Sequence, residues 1–164
     1  MGFKVRVRGV NTYVRAMSRV SDRLHDSARE GIDEAADYLL EQVVNKIGVY
    51  QPIGGDPGGR GRWRKLKYET VVKKLRKYNV GDKPLLASGD LKHSFKVIPG
   101  GKGRLASSVG SDSEYLIHHV YGARGANVPM RDPILVTANE ERDACYDMIE
   151  KAIFDEIDRM WGGE

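Results

Sequence analysis

The sequence predicts an α+β fold, a small and mainly antiparallel β-sheet packed against a long N-terminal helix and a C-terminal helix. Three observations carry this reading. Apolar residues recur at steps of three or four from about Thr12 to Ile47 and again from about Asn139 to Trp161, the period of an amphipathic helix. Between these stretches, short β-prone runs are bounded by Gly and Pro clusters, as strands are. The chain has 164 residues, enough to bury one core, and it reads as a single domain over 1–164.

The elements follow in order. Phe3 to Val7 alternates Phe/Lys/Val/Arg/Val, the period-two pattern of a half-buried strand ended by Gly9. Val14, Met17, Val20, Leu24, Ala28, Ile32, Ala35, Leu39, Val43 and Ile47 then form one helical stripe. Asn11 or Thr12 can cap its start, and Gly48 suits a left-handed stop. Gly31 is a weak point of this helix, where a break or bend is possible. A helix of this length either crosses the whole body or extends to meet a neighbouring subunit.

Residues 50–61, Y-Q-P-I-G-G-D-P-G-G-R-G, form a Gly-rich loop that no regular element can occupy. It lacks the G-K-[ST] ending of a phosphate-binding P-loop and has no β-branched strand leading into it. It reads as an arm that orders on assembly. A second helix runs from Lys67 or Glu69 to Tyr78, with Leu66, Val71 or Val72, and Leu75 on its apolar side.

The stretch Pro84 to Phe95, P-L-L-A-S-G-D-L-K-H-S-F, is a turn leading into a strand. Proline excludes helix just before it, Ser88 or Asp90 can cap a short helical turn, and Gly89 permits a tight bend. Leu105 to Gly110 can pair with Lys96-Val97-Ile98 across the Gly-rich loop Pro99–Gly103 as a hairpin. Ser111-Asp112-Ser113 offers a cap for a short helix from Glu114 to Tyr121, stopped by Gly122. Ala123 to Pro133 is loop, and Ile134-Leu135-Val136-Thr137 is a compact β-prone run. The closing helix carries Cys145, Met148 or Ile149, Ala152 or Ile153, Ile157, and Met160 or Trp161 as its stripe, with Asn139 as its cap.

Composition excludes several classes. With 40% hydrophobic and 30% charged residues, the chain belongs with globular proteins rather than disordered ones. No apolar run approaches the roughly 18–20 residues of a membrane span. The first residues carry no apolar signal core, and Arg6 stands where a myristoylation site prefers Ser or Thr. Cys145 is the one cysteine, so no internal disulfide forms and a reducing compartment is expected.

Charge is segregated. Arg60, Arg62, Arg64, Lys65, Lys67, Lys73, Lys74, Arg76 and Lys77 stand against Glu69 alone, whereas nine acids oppose three bases from Asn139 onward. These are either two solvated faces of a monomer or surfaces that attract copies of the chain, or another charged partner. With Trp63, Tyr68 and Tyr78 nearby, the basic segment could also follow a nucleic-acid backbone while aromatics stack on bases. Trp63 and Leu66 at helical spacing are more often core anchors.

Nothing catalytic stands out. His118 and His119 are adjacent and so face different sides of a helix, unlike the i, i+4 pair of H-E-x-x-H, and no carboxylate cluster accompanies them. Ser88 and His118 could in principle be nucleophile and base, yet no G-x-S-x-G elbow surrounds Ser88. No catalytic group, metal site or cofactor is expected.

An ordered set of residues carries a resemblance. Trp63-x-x-Leu66, Thr70, Lys73 and Lys74 are followed by Pro84-Leu85-Leu86-x-Ser88-Gly89-x-Leu91-x-x-Ser94. Then come Val109-Gly110, Tyr115, His118/His119 before Tyr121-Gly122, and Pro129-x-Arg131-x-Pro133. From about Tyr50 onward this set resembles the phage virion morphogenesis or tail-completion proteins, which include neck and head–tail joining proteins. The resemblance implies a tail-terminator-like fold and a structural role without an active site. It also implies a homo-oligomeric ring, a hexamer by the family's habit, that caps the tail tube and docks the head connector in the virion. In such a ring the basic segment would meet an acidic neighbour or face genomic DNA in the lumen.

Overall fold

The computed structural model describes residues 10–56, 60–101, 103–123, 125 and 128–162. The expected strand Phe3–Val7 lies outside them. The described elements are α1 (Val10–Lys46), α2 (Tyr68–Tyr78), α3 (Asp90–His93), β1 (Phe95–Pro99), β2 (Ser107–Ser111), α4 (Glu114–Tyr121), α5 (Pro133–Glu140) and α6 (Arg142–Trp161).

The fold is α+β. Strands β1 and β2 pair antiparallel, with Phe95 opposite Ser111 and Pro99 opposite Ser107. Helix α1 lies against both strands and against α5, and α6 packs along α1. The two long helices run antiparallel. Arg23 meets Glu156, Ser27 Oγ donates to the Ala152 carbonyl, and Tyr38 donates to Glu141. At 37 residues α1 is about 55 Å long at 1.5 Å per residue.

Helix α1 runs unbroken through Gly31. A Cβ there would lie 2.9 Å from Ala152 Cβ and 3.0 Å from Ile149 Cα, so glycine admits the close approach of α6, and packing offsets its low helix propensity. Gly48, with φ of +95°, ends the helical region as expected, and its N–H donates to the Pro84 carbonyl.

That bond ties α1 to the turn from Pro84. The core beneath it comprises Val43, Ile47, Leu91, Phe95 and Leu116, with Leu40, Leu85, Leu86 and Val109 packed around them. The Pro84–Phe95 stretch thus supplies the centre of the core. Leu85 reaches it with φ of +60°, a left-handed conformation costly for a side chain with a Cβ and held here by burial.

Two expectations are overturned in the last third. Ile134–Thr137 is helical, within α5, rather than a strand. Asp132 accepts a hydrogen bond from the Leu135 N–H at 3.0 Å, and Pro133 occupies the first turn. That pairing of N-cap and proline starts a helix and overrides the β preference of four residues. Asn139 consequently lies inside α5 and does not cap the C-terminal helix. The chain steps at Glu141, whose N–H still bonds to Thr137, and α6 begins at Arg142.

Candidate functional site

Between Arg60 and Lys77 the chain is pinned by its backbone and two apolar side chains. Trp63 is buried and its backbone N–H donates to the Gln51 carbonyl at 3.0 Å, while its indole N–H has no acceptor among the described residues. The Leu66 N–H donates to the Tyr50 hydroxyl at 2.8 Å. Both residues are therefore anchors, Trp63 fully and Leu66 by half, and Trp63 presents no face to a base. The Gly-rich loop is tied into the same region, since Gln51 is buried and the Gly54 carbonyl accepts from the Asp132 N–H at 3.1 Å.

With the backbone held down, the basic side chains point away. Arg60, Arg62, Arg64, Lys65 and Lys67 before α2, and Lys73, Arg76 and Lys77 on it, are exposed. Lys74 is the exception. Its ammonium donates to the Lys83 carbonyl, and burial lowers its pKa. Lys77 lies 4.9 Å from the centre of the Tyr78 ring, a cation–π distance. Among the described residues, none of the nine bases is in an ion pair. The acidic helix is more satisfied. Asp143 pairs with Arg142, Asp155 with Lys151, and Glu156 with Arg23 and Arg159. The two charged segments thus do not neutralise each other within the chain.

A groove of about 400 Å³ opens beside the start of α2. Arg64, Lys65, Lys67, Thr70, His119 and Arg131 supply its polar lining, with Leu66, Val128 and Pro129 between them. The loop after α4 builds its far wall. Ala123 and Val128 pair across that loop, Gly122 turns the chain with φ of +70°, and the Arg131 N–H donates to the His119 carbonyl at 2.7 Å. Arg131 is only 3% exposed. Its Nη2 donates to the Arg64 carbonyl at 2.6 Å, yet its Nε–H has no acceptor. His119 Nδ1 is buried and also unpartnered.

Burial first, then the positive charges of Arg131 and His118, push the His119 pKa down from 6.5 to about 4. The imidazole is therefore neutral in the folded protein at pH 7, whereas the unfolded chain takes up its proton near pH 6.5. Between those values the unfolded state binds more protons, so stability falls as pH falls. The expected loss from this residue, allowing for its partial exposure, is on the order of 2 kcal/mol. Urea midpoints at pH 7 and 4.5 should differ less in His119→Gln than in the parent. An undiminished difference would assign the acid sensitivity to other groups.

The Ser88-Gly89-Asp90 turn is built for the fold. Ser88 Oγ donates to Asp90 Oδ2 at 2.5 Å, Gly89 takes φ of +99° at the start of α3, and Ser94 and Ser111 hydroxyls meet at 2.5 Å. Leu91 is buried and Leu86 half-buried. Ser88 shares a cavity of about 320 Å³ with His119 rather than His118, but its proton is directed to a carboxylate. Among the described residues, no three His, Cys, Asp or Glu side chains are grouped as a metal would need, and no helix is long and apolar enough to cross a membrane.

The residues that carry the family resemblance therefore fall into two places. Trp63, Leu66, Gly122, Pro129 and Arg131 form or flank the groove, whereas Leu86, Ser88, Gly89 and Leu91 hold the turn beneath the hairpin. Sequence reasoning placed Arg131 in a motif but missed its meeting with His119, and it missed Glu156 as a buried acid. The signal for the latter was an acid lying on the apolar stripe of α6, between Ala152 and Met160. Several large side chains, by contrast, face water, among them Tyr68 at 82%, Tyr115 at 72% and Tyr121 at 78% exposure. No protein family, curated protein or solved structure matches the chain.

Proposed function

We propose that this protein is a structural subunit of a tailed-phage virion. In this reading it is a tail-completion or tail-terminator protein, assembling as a ring at the head–tail junction, capping the tail tube and docking the head connector. It performs no chemistry. Its place is the tail or neck of the virion, after assembly in the host cytoplasm. The ordered residues from Trp63 to Pro133 suggest the family. The observation that carries the reading is a surface that one chain leaves unfinished. Tyr68, Tyr115 and Tyr121 are exposed on α2 and α4, and Tyr13, Val14 and Met17 are exposed on the first turns of α1. Eight exposed bases between Arg60 and Lys77 have no ion pair among the described residues. Head-to-tail contacts, which pair two different patches and close into a ring, suit such a surface.

Reversal of Lys73, Arg76 and Lys77 to Glu tests it. Lys74 is left alone because it supports the Lys83 carbonyl. If these bases meet the acidic helix of a neighbour, the variant should fold but remain monomeric by mass in solution, because like charges now face each other. Reversing Asp147, Glu150 and Asp158 to Lys should then recover assembly. Rings that form normally but fail to retain the genome would instead place the bases toward DNA in the lumen. A parent chain that stays monomeric with purified tails would overturn the ring.

The unpaired bases also favour a second reading, a nucleic-acid-binding module using residues 60–77. It requires the free monomer to bind DNA with affinity that falls steeply as salt rises.

A further inference from the structure

We propose that the groove at the start of α2 is a binding site for a phosphate group, held by Arg131, Lys65, Lys67 and Thr70. This goes beyond assembly and concerns the single chain. Four cations, Arg64, Lys65, Lys67 and Arg131, line the groove, and no acid does. Glu69 is in the first turn of α2 but is not part of that lining.

Arg131 is the strongest element. A guanidinium that is 3% exposed, in no ion pair among the described residues, with the Asp82 carboxylate acting on it only at longer range and an Nε–H lacking an acceptor, is costly unless something supplies a closer countercharge and the missing acceptor. An oxyanion seated beside it supplies the two together. The start of α2 adds a second contribution. Lys67, its N-cap, lines the groove, so the positive end of the helix dipole lies beside it and favours an anion. Thr70 brings a hydroxyl to the same lining.

The donor set favours phosphate over carboxylate. Two lysines, two arginines and a hydroxyl approach from two walls, more directions than the two coplanar oxygens of a carboxylate can serve. A tetrahedral group with three or four oxygens can meet both walls at once. Leu66, Val128 and Pro129 leave an apolar margin for whatever the phosphate is attached to. The phosphate could be free or part of a nucleic-acid backbone, and the two sources separate in one experiment.

The full-length chain in chloride buffer is titrated with inorganic phosphate, followed by backbone amide shifts and calorimetry. Saturation at one phosphate per chain is expected, with the largest shifts at Lys65, Lys67 and Thr70, which line the groove. Lys67→Glu and Thr70→Val, both at exposed positions, should each weaken binding about tenfold. Arg19→Glu, exposed on α1 and outside the groove lining, should change it less than about threefold. Short single-stranded DNA that competes with phosphate, and loses affinity equally in Lys67→Glu, identifies a backbone phosphodiester as the source. Phosphate binding that DNA leaves untouched identifies a free phosphate or phosphomonoester. The proposal is overturned if phosphate shifts no groove amide, if Lys67→Glu binds as the parent does, or if acetate binds as tightly as phosphate.

Discussion

Gly54→Ala is expected to lower the unfolding free energy by about 3 kcal/mol, from a left-handed backbone cost of about 1–2 and overpacking of about 1–3 kcal/mol. Gly54 has φ of +78°, and a Cβ built on it would lie 2.6 Å from Val136 Cγ2, 3.1 Å from the Asp132 carbonyl oxygen and 3.2 Å from Trp63 Nε1. None of these neighbours can retreat cheaply. Val136 is fully buried, and the Gly54 carbonyl is bonded to the Asp132 N–H. Asp132 in turn holds the first turn of α5. One methyl group therefore strains the junction of three segments. The urea midpoint measures the effect. Gly81→Ala is the control, because a Cβ there meets nothing within 4 Å, and the loss of unfolded-state freedom should leave it neutral or slightly stabilised. Equal midpoints for Gly54→Ala and Gly81→Ala would show that the loop yields and that its burial is incidental.

The same glycine marks where the sequence was legible and where it was not. The long helix could be read because its stripe repeats over ten positions, and the hairpin because two β-prone runs flank Pro99-Gly100-Gly101. Local patterns of that length outweigh any single residue. Ile134–Thr137 was misread because four apolar residues carry no period, while the informative pair was Asp132-Pro133 ahead of them. The Gly-rich loop was read from composition as an arm ordered by neighbours. Yet within the chain Gly54 and Gln51 are packed against α5 and Trp63, and composition alone does not separate a glycine that frees the chain from one that admits a close neighbour. The groove was the least legible feature. Nine bases look alike in sequence, and the one arginine buried among the described residues lies outside their run, brought back to it by the Ala123–Val128 pairing. Its P-x-R-x-P setting marked it as special without saying what it faces.

The buried acid Glu156 gives the second large effect, and its size depends on which partner is removed. Glu156 is 6% exposed, and both of its oxygens are engaged, Oε1 by Arg23 Nε at 2.5 Å and Oε2 by Arg159 Nη1 at 3.0 Å. The arginine side chains are about half to two-thirds exposed, at 52% and 64%. Glu156→Gln leaves two guanidinium groups that water can solvate, so its cost should be about 1 kcal/mol, a pair of hydrogen bonds weakened but not orphaned. Replacing Arg23 and Arg159 together with Ala leaves a carboxylate in the α1–α6 interface with no cation, and should cost about 3 kcal/mol or more. Each single arginine change should cost less than half of the double, because the remaining arginine still serves the carboxylate; coupling of this kind is expected when two residues share one partner. Denaturant unfolding of the four variants measures the order. If Glu156→Gln proves as damaging as the double arginine change, burial of the charge is not what the two arginines offset, and the contact between α1 and α6 rests on its apolar stripe alone.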